Sequence, residues 1–423
     1  MNIFFSGIGG VGIGPLAEIA HDAGHTVAGS DLAETRVTKQ LQDAGIDVTI
    51  GQDGNALAAR HAAEPIDWFV YTSALPADHP ELAMAATLGI KTGKRDEFLA
   101  TFIQEHNLFL IAVTGTHGKT STTGMLVWTF KQLGIPVSYS VGTTLSFGPS
   151  GAYTDGSRYF VYECDEFDRN FLQFHPDVSI ITSIDYDHPD TYPTETEYKD
   201  AFLQYIGQST QTILWQKDWE YLSTESPSPS TTTLAANAAI DIHLPGAHNR
   251  RNATLAIELL VALGVTDKQT VTPILESFPG TDRRFEKLGT NLYTDYGHHP
   301  VEIAATLQLA KEIATNVTLV YQPHQNIRQH EIYSTYTDEI FKDAATVFWL
   351  PTYLTREREG LSILTPAELT KQLTHTNIHE VTLSKELEDE LTKLRATGSL
   401  VLCMGAGTID TWARQYAAHT TLQ

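Results

Sequence analysis

Short runs of consecutive apolar residues alternate along the chain with longer stretches in which apolar positions return every three or four residues. The runs at Asn2–Ser6, Trp68–Thr72, Leu108–Thr114, Tyr159–Glu163 and Val178–Ile184 read as buried strands. Between them, segments such as PLAEIAHDAG and TTGMLVWTFKQLG carry helical periodicity. Strand and helix in alternation imply parallel sheets covered by helices, because a parallel connection needs a crossover. The expected fold class is α/β. A further cycle begins near Asn291 with NLYTDYG and continues through NVTLVYQ from Asn316, ATVFWL from Ala345 and SLVLCMG from Ser399. Breaks in the pattern place joints near residues 106 and 284, giving three domains over 1–106, 107–284 and 285–423. The Ser/Thr/Pro-rich stretch STESPSPSTTT from Ser223 reads as a surface loop.

Bulk properties narrow the function. A chain of 423 residues is long enough for two or three cores. Its 28 basic against 51 acidic residues give a formal charge of −23, which opposes broad attraction to nucleic acid or to an anionic membrane. Phosphate must then be held locally. Only Cys164 and Cys403 are present, so no disulfide framework is expected and a reducing, cytoplasmic location follows. MNIFFSGIGG lacks a basic leader segment, and no apolar run reaches membrane-spanning length.

Two glycine loops carry the phosphate chemistry. Gly7, Gly9, Gly10 and Gly12 form GxGGxG directly after the first strand, with Asp31 at the end of the second. Glycine lets a backbone approach a pyrophosphate, helix amides meet its charge, and the acid can accept hydroxyl protons. The second loop, Gly115-Thr116-His117-Gly118-Lys119-Thr120-Ser121, follows an apolar strand and opens a helix. Val113 stands where a full P-loop has its first glycine, yet strand, loop, lysine and helix keep their order. Main-chain amides there can cradle phosphates, Lys119 can reach the outer oxygens and Thr120 can meet Mg²⁺.

Glu163 in VYECDEFD and His188 in DYDHPD offer hard oxygen and nitrogen donors at strand ends. Later come GAHNRRN, GTDRRF, DYGHHP and YQPH. Their asparagines could read an adenine edge and their arginines could grip phosphate. Each would be unremarkable alone.

Taken in order, these motifs resemble the Mur ligase family, and within it the branch that adds L-alanine to UDP-N-acetylmuramate. The resemblance spans nearly the whole chain. It implies an N-terminal Rossmann-like domain for the UDP group, a central P-loop ATPase-type α/β domain and a C-terminal Rossmann-like domain for amino acid and nucleotide. It also implies an ATP-dependent ligase that works through an acyl phosphate, with ATP and Mg²⁺, as a monomer or homodimer. On that view Gly7, Gly9, Gly10, Gly12, Asp31, Ser73 and Arg95 serve the UDP-sugar. Gly115 to Ser121, Asn249, Asn252, Arg284 and Asp295 serve ATP, and Thr120, Glu163 and His188 the metal. Lys119, His188, Arg284 and His298 are the implied catalytic set, with His298 a candidate base, and His298 and Arg328 face the amino acid. Lys119→Ala is expected to end turnover with the fold intact.

The sequence departs from the family pattern at Ser183, where Asn is usual, at Pro189, and at Gln325, where an arginine is lost from the run after His324. Three rival readings stand. One is the recycling ligase that attaches a preformed tripeptide to the same sugar nucleotide; another is an NAD-dependent oxidoreductase, which leaves the second loop unexplained; the last is a non-catalytic nucleotide-binding protein.

Overall fold

In the computed structural model, residues 1–72, 75–355, 357–358, 360–374 and 377–420 are described, and their strands assemble into three sheets. The first contains β1 (Asn2–Ser6), β2 (Thr26–Asp31), β3 (Asp47–Ile50), β4 (Trp68–Tyr71) and β5 (Lys91–Lys94), in the order β3-β2-β1-β4-β5 and wholly parallel. Connections reverse direction between β1 and β4, the place where open parallel sheets receive ligands.

The second sheet holds β6 (Phe109–Thr114), β7 (Val137–Ser140), β8 (Gly151–Ala152), β9 (Tyr159–Glu163), β10 (Val178–Ile181), β11 (Thr212–Trp215) and β12 (Thr231–Leu234). Its order is β12-β11-β10-β6-β9-β7-β8, with β8 antiparallel to β7. Central strand β6 leads into the second glycine loop. It is flanked by β9, which brings Glu163 opposite Val113, and by β10, which brings Ile181 opposite Thr114. Both neighbours therefore release their chains beside that loop.

The third sheet is β13 (Glu286–Gly289), β14 (Leu292–Asp295), β15 (Val317–Tyr321), β16 (Thr346–Trp349), β17 (Ile378–Glu380) and β18 (Leu400–Met404). Its order is β13-β14-β18-β15-β16-β17, with β13 paired antiparallel to β14. Alternate residues of β15 and β18 enter two separate cores. Leu319, Tyr321, Leu402 and Met404 meet Ile303 and Trp349, whereas Val320, Val401 and Cys403 meet Phe348 and Tyr416. Burial on both faces is why these strands read as unbroken apolar runs.

The expected strands form close to their expected limits. One expectation is corrected: STESPSPSTTT is not all loop, because Thr231–Leu234 pairs with Thr212–Trp215 as an edge strand. Three successive β-branched threonines suit a pleated edge, which outweighs the polar composition used to read the segment.

Packing divides the chain into two compact units, one of residues 1–240 and 252–278, the other of residues 241–251 and 279–423. The first unit contains the first two sheets, joined by a shared core that runs from Ile3, Phe5, Phe98 and Phe102 to Leu110, Phe160 and Tyr205. Gly151 makes part of this joint possible. A Cβ there would lie 2.2 Å from the carbonyl oxygen of Pro15, so only glycine lets β8 approach the helix Gly14–Asp22. Glu18 on that helix accepts from the Gly151 amide at 2.9 Å and the Ser150 hydroxyl at 3.1 Å. Among the described residues no helix is long and apolar enough to cross a membrane, and both cysteines are buried and free.

Candidate active site

The N-terminal glycine loop is braced by the residues expected to serve it. Gly7 adopts φ +77° and the amides of Gly7 and Ile8 donate to Ser30. Asp31 Oδ2 accepts from the Gly9 amide at 2.8 Å. A Cβ on Gly12 would stand 1.8 Å from Arg95 Nη1, so the missing side chain makes room for the guanidinium. Gly7 to Gly12, Asp31 and Arg95 thus come together; Ser73 lies outside the described residues.

The second loop is held by the strand end beside it. Thr116 Oγ1 donates to the Asp185 carbonyl at 2.8 Å, and its amide donates to the Ser183 carbonyl. Ser183, the departure from the family pattern, accepts from the His117 amide through Oγ at 3.0 Å. Gly115 at φ +124° leaves no room for a Cβ, which would sit 2.6 Å from the Ser183 carbonyl. Gly118 at φ +88° lies against Asn252, with a Cβ there 2.8 Å from its Oδ1. Lys119 to Gln132 then form a helix that carries Thr120 and Ser121.

Around Lys119 the chain gathers buried charge. Its Nζ donates to the Gly115 carbonyl at 2.6 Å and to Glu166 Oε2 at 2.8 Å, with Asp165 Oδ1 at 3.9 Å. Burial alone would lower the ammonium's pKa, but Glu166 and Asp165 outweigh it and hold Lys119 above its usual range. Glu163 Oε1 accepts from Thr120 Oγ1 at 2.7 Å, and its Oε2 from the Gly142 amide at 2.7 Å. His188 Nε2 lies 3.8 Å from Glu166 Oε1, a buried oxygen with no hydrogen-bond partner. Asp168, Arg169 and His188 all take left-handed φ between +54° and +58°, each costing about 1–3 kcal/mol. Strain of this kind concentrates where a site dictates the backbone.

These donors suit a hard divalent cation: a threonine hydroxyl touching a carboxylate, with a second, unpartnered carboxylate oxygen next to an imidazole. Among the described residues no three acid or imidazole groups already converge as a closed cage. Asp165 and Glu166 are the residues that sequence reading missed. Their signal was available: three acids within four positions just after the strand flanking the loop.

Helix Ala247–Ala262 bears both expected adenine-side asparagines, but they have different partners. Asn252 meets Gly118, whereas Asn249 Nδ2 donates to the Pro245 carbonyl at 3.0 Å.

In the second unit, Asp295 ends β14 with both carboxylate oxygens occupied. Oδ1 accepts from Gly297 at 2.7 Å and Oδ2 from Phe285 at 2.8 Å. Burial raises it to about 6, against the opposing pull of Arg284. Arg284 Nη1 lies 3.5 Å from Glu302, which also accepts from the His298 amide at 2.9 Å. His298 Nε2 is 2.6 Å from Arg328 Nη1, and Nδ1 is 3.2 Å from the Tyr296 carbonyl. An arginine cannot accept, so Nε2 is the acceptor and Nδ1 carries the proton. Burial pulls His298 down to about 4, Glu302 pulling it up and Arg328 further down. The ring is therefore neutral, with its Nε2 lone pair taken by Arg328. Gln325, at φ +59°, caps the short helix Asn326–Ile332 that carries Arg328.

Comparison with known proteins places this geometry. Residues 2–107 match the profile described as Mur ligase family, catalytic domain, and residues 113–225 match the Mur ligase middle domain. The UDP-N-acetylmuramate–L-alanine ligase of Parvibaculum lavamentivorans is 31% identical, with 97% of this chain and 91% of that protein covered. A crystal structure of UDP-N-acetylmuramate-alanine ligase MurC from Thermotoga maritima superposes with a TM-score of 0.78 at 26% identity, over 99% of both chains. A murein peptide ligase from Psychrobacter arcticus shares the fold at a TM-score of 0.65 and 20% identity, over 100% of both chains. The chain belongs to the Mur ligase family.

Proposed function

We propose that this chain is an ATP-dependent ligase that joins L-alanine to the lactyl carboxylate of UDP-N-acetylmuramate, a step in making peptidoglycan precursors. The observation that carries this reading is the junction of a phosphate-type glycine loop and its buried Lys119 with full-length similarity to an alanine-adding relative.

The N-terminal loop, Asp31 and Arg95 hold the UDP group. Lys119 and the loop amides hold the triphosphate. Thr120 and Glu163, with His188, hold Mg²⁺, which when bound neutralises phosphate charge. A lactyl carboxylate oxygen attacks the γ-phosphorus, ADP leaves, and an acyl phosphate forms. The alanine amine then attacks the acyl carbon, and phosphate departs with the oxygen that began on the carboxylate. Arg328, fixed by His298, pairs with the alanine carboxylate. Most of the rate enhancement is then positioning and charge neutralisation.

Addition of a preformed tripeptide is the alternative; the full-length relatives at about 30% identity carry the name of L-alanine ligases and support the first reading. Incubation with ATP, Mg²⁺, UDP-N-acetylmuramate and either L-alanine or the tripeptide tests both. ADP release that needs the sugar nucleotide and L-alanine supports the reading; release with the tripeptide alone supports the alternative.

A further inference from the structure

Glu166 is the most deeply placed charge next to the glycine loop; its Oε1 lies beside His188, and its Oε2, held on Lys119, is used by neither the phosphate nor the metal role. Its side chain is fully buried, 0% exposed, and that of Lys119 is 14% exposed. Lys119 does not extend away from its loop. It folds back, shared between the loop's own Gly115 carbonyl and Glu166 Oε2. Glu166 is fixed from behind, its carbonyl accepting from Tyr192 Oη at 2.6 Å. The left-handed residues Asp168 and Arg169 follow after Phe167.

A buried carboxylate is tolerated only beside a compensating cation. The γ-phosphate needs the same cation. We propose that Glu166 is a positioning residue that parks Lys119 in the nucleotide-free site and competes with the triphosphate for its ammonium, setting nucleotide affinity. On this arrangement the lysine's charge is never left uncompensated in a buried site, before binding or after product release. Part of the phosphate's binding energy displaces Glu166. This inference rests on the ATP reading above and assigns the acid a role which that reading lacks.

The test is a double-mutant cycle on the full chain, with Kd for ATP measured by calorimetry. Glu166→Gln keeps the shape and removes the competing charge, so ATP should bind about tenfold tighter. In a Lys119→Met background the same change should leave Kd unmoved. The KM for the sugar nucleotide should not change in Glu166→Gln, which separates competition for Lys119 from a general disturbance. Glu166→Asp withdraws the carboxylate by one methylene and should tighten ATP binding to a smaller degree; it carries the test if the glutamine variant does not fold. Looser or unchanged binding in the folded variant, or equal tightening without Lys119, overturns the proposal. If the wild-type chain binds no ATP, the ATP reading fails and this one with it.

Discussion

Arg328 donates from Nη1 to His298 Nε2 across 2.6 Å, and this bond favours a supporting role for the histidine over that of a base. A general base needs a free lone pair and a pKa near the working pH; His298 has neither, being held down at about 4. His298→Ala should raise the KM for L-alanine by about ten- to a hundredfold, as expected when a supporting partner is removed, with a smaller change in kcat. Steady-state kinetics checks this. A loss of about 10²–10⁴ in kcat at constant KM would instead mark a base.

Glu163 touches Thr120 and the Gly142 amide, so its charge can be removed with the contacts largely kept. Glu163→Gln should raise the Mg²⁺ concentration for half-maximal ADP release at least about tenfold and leave thermal unfolding nearly unchanged. An unaltered Mg²⁺ titration would remove Glu163 from the cation site.

Lys119 was expected to be replaceable without harm to the fold. The buried Glu166 argues otherwise, because removing one partner of a buried pair leaves a stranded charge. Lys119→Met should lower unfolding free energy by about 3–5 kcal/mol, and adding Glu166→Gln should restore most of it. Denaturant melts of the two variants give the comparison. Equal stability of Lys119→Met and wild type would show that the pair contributes nothing.

Much of this was legible in sequence because it is local. The P-loop order, the GxGGxG loop with Asp31, and the strand limits at Tyr159–Glu163 depend on residues close together in the chain. Glu166 was not legible, since its role comes from burial against Lys119, 47 positions away. The state of His298 depends on Arg328, 30 residues on, and on a buried ring. Thr231–Thr233 reads as loop because its composition is polar, while its pairing with β11 follows from the sheet. Ser183, a departure from the family pattern in sequence, turns out to brace His117.

Glu18 joins the two sheets of the first unit, and burial raises its carboxyl to about 7, partly offset by bonds from Gly151 and Ser150, with Asp22 adding to the rise. A carboxyl raised on folding supports stability below its unfolded value of 4.5, and that support is lost as pH climbs through about 7. Wild type and Glu18→Gln should therefore have similar Tm near pH 4.5, with the variant increasingly the more stable from there to above pH 7. Parallel Tm curves across this range would contradict the assignment.

The most direct test follows one oxygen. UDP-N-acetylmuramate labelled with heavy oxygen in its lactyl carboxylate is turned over with ATP, Mg²⁺ and L-alanine, and the released phosphate is analysed by mass spectrometry. Attack on the γ-phosphorus by that carboxylate predicts one labelled oxygen in each phosphate. Unlabelled phosphate alongside amide product would contradict the acyl-phosphate route.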